Sequence, residues 1–393
     1  MEIKTNQNNP DFEDIRHYYD HEVNDALKKI SKDPLFDILL KFVGLHYSDS
    51  DLKEKINRIQ SSYDFQKEFM HHGIRAILKN SFSELSYSGF ERLQNRVPAL
   101  FIANHRDILL DSAILQVLLV EHKLNTSEIT FGENLMTPGF ITDFGRLNRM
   151  FRVKREGNSR ELYDIAYKLS SYIRHTLFEK QVSVWIAQGN GRTKDGNDMT
   201  QTGLLKMLNL DCDKNQYSMP DYFRRLNIVP LSISYEYEPC DSFKTQELYL
   251  SSLNSKYVKA AGEDLNSIIQ GVCQEKGRIH LAVCDPIANE IEKLETIKGD
   301  NNQLRYLKNK IDERILSEYK LWPVNYVAAD LLSNRGAYIE HYSSSDKNKF
   351  VEYMQSKVTT LDGEKDVLTT IFLGIYANPV FNKEKNINNF TSL

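Results

Sequence analysis

The sequence predicts an α/β protein, a mixed sheet covered by helices, with a helical N-terminal unit and a helical C-terminal extension. Three observations lead there. Short apolar runs, among them ALFIA, EITFG, MFRVK, SVWIA, NIVPLSISYEY and GRIHLAVCDPI, recur between residues 97 and 287 and alternate with helical stretches such as 161–177. That order implies a sheet covered by helices, with functional loops at strand ends. Before residue 95, apolar positions such as Leu35, Ile38, Leu39, Phe42 and Val43 recur at three-to-four spacing without strand alternation, which reads as helix. After Pro286 helical patterns return: Ile311, Ile315 and Tyr319 share one face of 304–322, and two more helices follow from Lys347 to a polar tail expected to fray. The expected division is a helical unit over 1–95, an α/β domain over 96–290 and a helical extension over 291–393.

The 393 residues are 41% apolar and 26% charged, as in an ordinary globular protein, and carry a formal charge of −4. That charge argues against binding nucleic acid through the overall field, so any anion site must be local. Cys212, Cys240, Cys273 and Cys284 show no CxxC spacing, which suits free thiols in a reducing compartment and indicates no metal site. The N-terminal segment is polar and acidic, without the apolar core of a secretory signal. The longest apolar runs, such as 109–120, fall short of the ~18 to 20 residues that a spanning helix needs. A cytoplasmic protein with at most peripheral contact to a membrane is expected.

Chemistry concentrates in three places. In NHRDILLD, at 104–111, an imidazole and a carboxylate meet where the strand-like VPALFIA gives way to an apolar helix over 108–120. Asp107 is the expected N-cap, and Asp111 falls in the first turn, where it can hold His105 in one tautomer as a general base. The competing reading is a surface or capping histidine. In RLNRMFRVKREGNSR, at 146–160, Arg146, Arg149, Arg152, Lys154, Arg155 and Arg160 face a single acid, Glu156. If 150–154 is a strand, Arg152 and Lys154 point to the same side and, with the turn at Gly157 and Asn158, suit a phosphate; a solvated basic face is the alternative. In AQGNGRTKDGND, at 187–198, a glycine-bearing loop leaves a strand with Arg192, Lys194 and free backbone amides, suited to an oxyanion or to an ordinary turn. It matches neither the dinucleotide nor the P-loop fingerprint.

In this order the landmarks resemble the glycerolipid acyltransferase family, which includes glycerol-3-phosphate and lysophosphatidic acid acyltransferases. The likeness covers four blocks between residues 104 and 239: Asn104, His105, Arg106 and Asp111; MFRVKREGNSRELYD; VWIAQGNGR; and IVPLSISYE with Pro230. Two departures stand out. Five residues separate His105 from Asp111 where the family has four, so the helix start is shifted or Asp107 serves instead; Asp111 is the assignment. The third block lacks the family's glutamate, replaced by Gln188 or Asn190, which puts the substrate's identity in question more than the transfer itself.

The resemblance implies transfer of a fatty acyl chain from a thioester donor, acyl-CoA or acyl carrier protein, to the hydroxyl of a glycerol phosphate or lysophospholipid. His105 would be the base and Asp111 its support, with no covalent intermediate, no metal and no cofactor. Backbone amides at Gly189, Asn190 and Gly191 would meet the oxyanion, and Arg106, Arg152, Lys154, Arg155 and Arg192 would bind the acceptor. A non-phosphate lyso-aminolipid acceptor and a non-catalytic lipid-binding relative are the alternatives. A metal-dependent phosphate-ester hydrolase is disfavoured, since HYYDH at 17–21 lacks the glutamate of HExxH. Residues 35–46 and 367–381 are the two candidates for an amphipathic face at the membrane interface, each competing with a core-facing helix.

Overall fold

The computed structural model describes residues 12–391 except 95–96, 137, 155, 254–256 and 261. The first helices are α1 (Asp20–Ile30), α2 (Pro34–Phe42), α3 (Asp49–Arg58), α4 (Ser62–Phe65) and α5 (His71–Ser81), and β1 (Glu84–Ser88) follows them. From there β2 (Leu100–Ala103), α6 (Leu110–Glu121), β3 (Glu128–Gly132), α7 (Phe140–Leu147), β4 (Met150–Val153), α8 (Ser159–Phe178) and β5 (Val184–Ala187) alternate strand with helix. Then come α9 (Thr202–Leu208), α10 (Met219–Leu226), β6 (Ile228–Tyr235), α11 (Asp241–Leu253), α12 (Glu263–Cys273) and β7 (Arg278–Val283). The chain ends in α13 (Ala288–Leu294), α14 (Asp300–Glu318), α15 (Pro323–Ser333), α16 (Ser344–Val358) and α17 (Lys365–Thr391).

The seven strands form one mixed sheet in the order β1-β7-β6-β2-β5-β3-β4, antiparallel only between β6 and β7. Alternation along the strands divides two cores, because successive side chains point to opposite faces. Phe101, Ala103, Trp185, Ile129 and Leu231 pack with α5 and α6 on one face, while Leu100, Ile102, Val184, Ile186 and Phe151 pack with α8, α9, α10 and α14 on the other. The central strands β2 and β6 are buried throughout, which explains their continuous apolar runs.

Two expectations are corrected. Residues 84–88 lie in the stretch read as wholly helical, yet they form β1, paired in parallel with β7 from Glu84↔Arg278 to Ser88↔Ala282. ELSYS is a polar, half-exposed edge strand, so its pairing depends on a partner far along the chain rather than on an apolar signature. Residues 367–381 turn most of their apolar side chains inwards instead: Leu368, Phe372, Ile375, Tyr376 and Val380 are buried against α15 and α16 in a C-terminal core of their own. The polar tail also continues α17 as helix to Thr391.

The segment before α1 is fastened to the sheet by a buried acid. Glu128, at the start of β3, accepts from His17 Nε2 at 3.0 Å and Tyr172 Oη at 2.7 Å and is paired with Lys180. Burial alone would raise its carboxyl, but His17 and Lys180 hold it well below the usual range. Stability from such a depressed group is complete above the unfolded value near ~4.3 and is lost as pH falls towards the folded value. Glu128→Gln is therefore expected to lower stability by about 3 kcal/mol at pH 7 in urea unfolding, because Lys180 loses its counter-charge. The wild-type advantage should shrink as the pH is lowered below about 4, and an advantage constant with pH would refute the assignment.

Candidate active site

His105 stands two residues beyond the end of β2, on the face that carries Trp185, whose ring it meets edge-on at a centroid distance of 5.6 Å. Its side chain keeps 14% exposure, while that of Asp111 is buried. The helix α6 begins at Leu110, two residues later than its apolar pattern indicates, because Asp107 Oδ1 takes the Leu109 and Leu110 amides at 2.9 and 2.8 Å and so caps the first turn. Asp111 then sits one residue into the helix with its carboxylate turned back on the loop.

That carboxylate gathers four donors. Oδ2 lies 2.9 Å from His105 Nδ1 and accepts the amides of Arg106 and Asp107 at 2.6 and 2.9 Å, and Oδ1 accepts the Tyr235 hydroxyl at 2.7 Å. A carboxylate so placed acts as an acceptor, so Nδ1 is assigned the ring proton and Nε2 is left with the lone pair. The spacing of five intervening residues is thus accommodated by the late helix start, and it is Asp111 rather than Asp107 that reaches the ring. Asp107 points its Oδ2 elsewhere, buried and without a hydrogen-bond partner, against Gly271 of α12, where a Cβ would stand 2.2 Å away. Burial and the Asp111 charge push the Asp107 carboxyl up.

The glycine loop lies beside the histidine. Thr193 N donates to His105 O at 2.7 Å, and the preceding Arg192 has one guanidinium nitrogen buried without a partner. Among the described residues, no backbone hydrogen bond engages the amides of Gly189, Asn190, Gly191 or Arg192. Gly191 has a φ of +88° and open space around its α-carbon, and Asn190 is exposed. Gln188, which with Asn190 is one of the two residues that could stand in for the missing glutamate, is buried with its Oε1 unpartnered.

The basic run separates into different environments. Arg146 donates to Arg16 O and Arg149 to Thr126 O, both structural contacts. Arg152 pairs with Phe131 across β3 and β4, on the His105 face as its alternation implies, and lies 3.5 Å from Glu133. Lys154, one residue past β4, is exposed. With β5 and β3 between, these two cations are three strand spacings from β2, about 14 Å. Arg155 lies outside the described residues.

Arg106 corrects its expected role in binding the acceptor. It is buried beneath the loop, where it donates to Asp198 Oδ2 at 2.5 Å and to Glu238 Oε2 at 3.0 Å. Burial works against its charge, but the two carboxylates hold the guanidinium well above its ordinary value. Lys244 completes the cluster, reaching Glu238 Oε1 at 2.5 Å and Arg106 O at 2.7 Å. Asp198, Glu238, Lys244 and Tyr235 were not singled out in the sequence. The one available signal was alternation along β6, which places Val229, Leu231, Ile233 and Tyr235 on the His105 face.

The C-terminal helix supports the same loop. Pro379 has no amide to give Ile375 O, and Gly196 (φ +81°) fits against that freed carbonyl, where a Cβ would stand 2.3 Å away. Asn378 Nδ2 donates to Asp195 O at 2.7 Å and Asn382 Nδ2 to Asn197 Oδ1 at 2.9 Å. Because Arg106 serves the scaffold, Arg106→Met is expected to lower unfolding free energy by about 3 to 5 kcal/mol by stranding Asp198 and Glu238. The protein that remains folded should keep its acceptor KM, and a raised KM with unchanged stability would restore the binding role.

Comparison with known proteins bears on residues 84–234, which match the Acyltransferase family model. No curated protein matches the chain. Among solved structures it matches the 1-acyl-sn-glycerophosphate (LPA) acyltransferase PlsC from Thermotoga maritima at 12% identity and a TM-score of 0.35, over 75% of this chain and 91% of that one. The matched stretch, running from β1 into β6 and holding His105, Asp111 and the glycine loop, is the part of the chain that is similar to the Acyltransferase family.

Proposed function

We propose that the protein transfers a fatty acyl chain from a thioester, acyl-CoA or acyl carrier protein, to the hydroxyl of a glycerol phosphate or lysophospholipid. The observation that carries this reading is the 2.9 Å contact between His105 Nδ1 and Asp111 Oδ2, which leaves Nε2 with the ring's lone pair. Nε2 takes the acceptor's hydroxyl proton as its oxygen attacks the thioester carbonyl, and Asp111 stabilises the imidazolium. The tetrahedral oxyanion meets the unengaged amides of residues 189–192. Collapse of the intermediate breaks the carbon–sulfur bond, and the departing thiolate takes back the proton. Arg192 is the acceptor's nearest cation; Arg152 and Lys154 stand farther along the same face, suited to a charge at the far end of a longer acceptor.

The membrane is the proposed source of the acceptor. No helix of the described residues is long and apolar enough to cross a bilayer. On α2, however, Leu35, Ile38, Leu39 and Phe42 form an i, i+3, i+4, i+7 stripe that is 45%, 58%, 36% and 53% exposed, while Phe36 and Leu40 bury the other side. Lys41 in the same helix and Lys28 and Lys32 just before it supply charge for anionic headgroups.

His105→Ala is expected to reduce transfer of a labelled acyl chain by about 10²- to 10⁴-fold across glycerol phosphate, lysophosphatidate and lyso-aminolipid acceptors. Wild-type rates in that variant would eliminate the proposed base. In sedimentation with phosphatidylglycerol vesicles, Ile38→Asp combined with Phe42→Asp should leave most of the protein in the supernatant at unchanged melting temperature. Undiminished vesicle binding would assign membrane contact to another surface.

A further inference from the structure

The Tyr235 hydroxyl is the donor to the Asp111 oxygen that His105 does not use. Tyr235 is 1% exposed at the last position of β6, and its Oη stands 2.7 Å from Asp111 Oδ1. Among the described residues that oxygen has no other donor, whereas Oδ2 has three. The tyrosine cannot drift: its backbone is registered on β7 opposite Ile279, and Glu236 N is tied to Arg278 O at 2.8 Å. Burial, reinforced by the Asp111 charge, keeps the phenol protonated well beyond its ordinary range, so it remains a donor.

We propose that Tyr235 is a positioning residue for acyl transfer, fixing the rotation of the Asp111 carboxylate so that Oδ2 stays directed at His105 Nδ1. This rests on the His105 reading given above. With the hydroxyl removed, Oδ1 would face the apolar core formed by α6 and the sheet, and the carboxylate would gain by turning Oδ1 towards the loop amides, away from its alignment with the ring. The effect would fall on orientation of the base, not on substrate binding, since Tyr235 is buried behind Asp111.

Three measurements test it. Tyr235→Phe should lower kcat by roughly 10- to 100-fold, the worth of a buried hydrogen bond to a charged group, and leave both KM values within about twofold. In an Asp111→Asn background the same change should cost less than about threefold, because the two residues act as a unit. The far-downfield proton signal of His105 Nδ1–H, read without substrate, should be displaced by Tyr235→Phe and unmoved by Ser232→Ala, which removes a hydroxyl from the opposite face of β6. If Tyr235→Phe does not fold, 3-fluorotyrosine at position 235, which keeps the ring and the bond, should still displace that signal. A kcat within about twofold of wild type, an undiminished loss in the Asp111→Asn background, or an unmoved signal each overturns the role of Tyr235. Full activity in His105→Ala would overturn the underlying reading instead, so the two failures are distinguishable.

Discussion

The Asp111 carboxylate is the constraint on which the rest of this site depends. It is buried, and a buried anion persists only where its oxygens are answered by donors. Here the donors come from two separate pieces of chain: the loop after β2, which supplies the ring of His105 and two amides, and the end of β6. Satisfying one side chain therefore fixes the loop's path, the orientation of the imidazole and the approach of β6 to α6. The late start of α6 follows from the same requirement, since the Arg106 and Asp107 amides must turn inwards to reach Oδ2 before the helix can begin.

Beneath that carboxylate lies a second layer in which Arg106 and Lys244 face Asp198 and Glu238. Two cations against two acids leave the buried cluster neutral, and each charge has a close partner, which is the condition under which buried ions are tolerated. The layer joins the loop after β2, the glycine loop and the segment leading into α11. The upper layer presents the ring, and the lower one sets where the surrounding loops can go.

Much of the sheet was legible in the sequence because its central strands are buried on both faces and so read as apolar runs; β2 to β7 fall where ALFIA, EITFG, MFRVK, SVWIA, IVPLSISY and RIHLAV place them. β1 was not, because a half-exposed edge strand of polar residues has no local signature. The pairing of His105 with Asp111 could be read from spacing along a helix start. The identity of Arg106 as a buried scaffold could not, since its partners lie 92 and 132 residues away. The run of six cations around β4 shows the same limit: sequence proximity suggested one anion site, whereas tertiary packing assigns Arg146 and Arg149 to carbonyls elsewhere. On α2 the helical period was legible, but which of its two apolar sides faced inwards was decided only by contact with Phe69.

The seat of Gly196 on the carbonyl that Pro379 leaves open has a consequence for biogenesis. Asn378 binds a loop that precedes it by 183 residues. During vectorial synthesis the glycine loop, the histidine and the whole sheet leave the ribosome well before the helix that braces them. The nascent protein must therefore wait on α17 to settle the loop, and premature termination before Ile375 would yield a chain with its chemistry encoded but its scaffold unclosed.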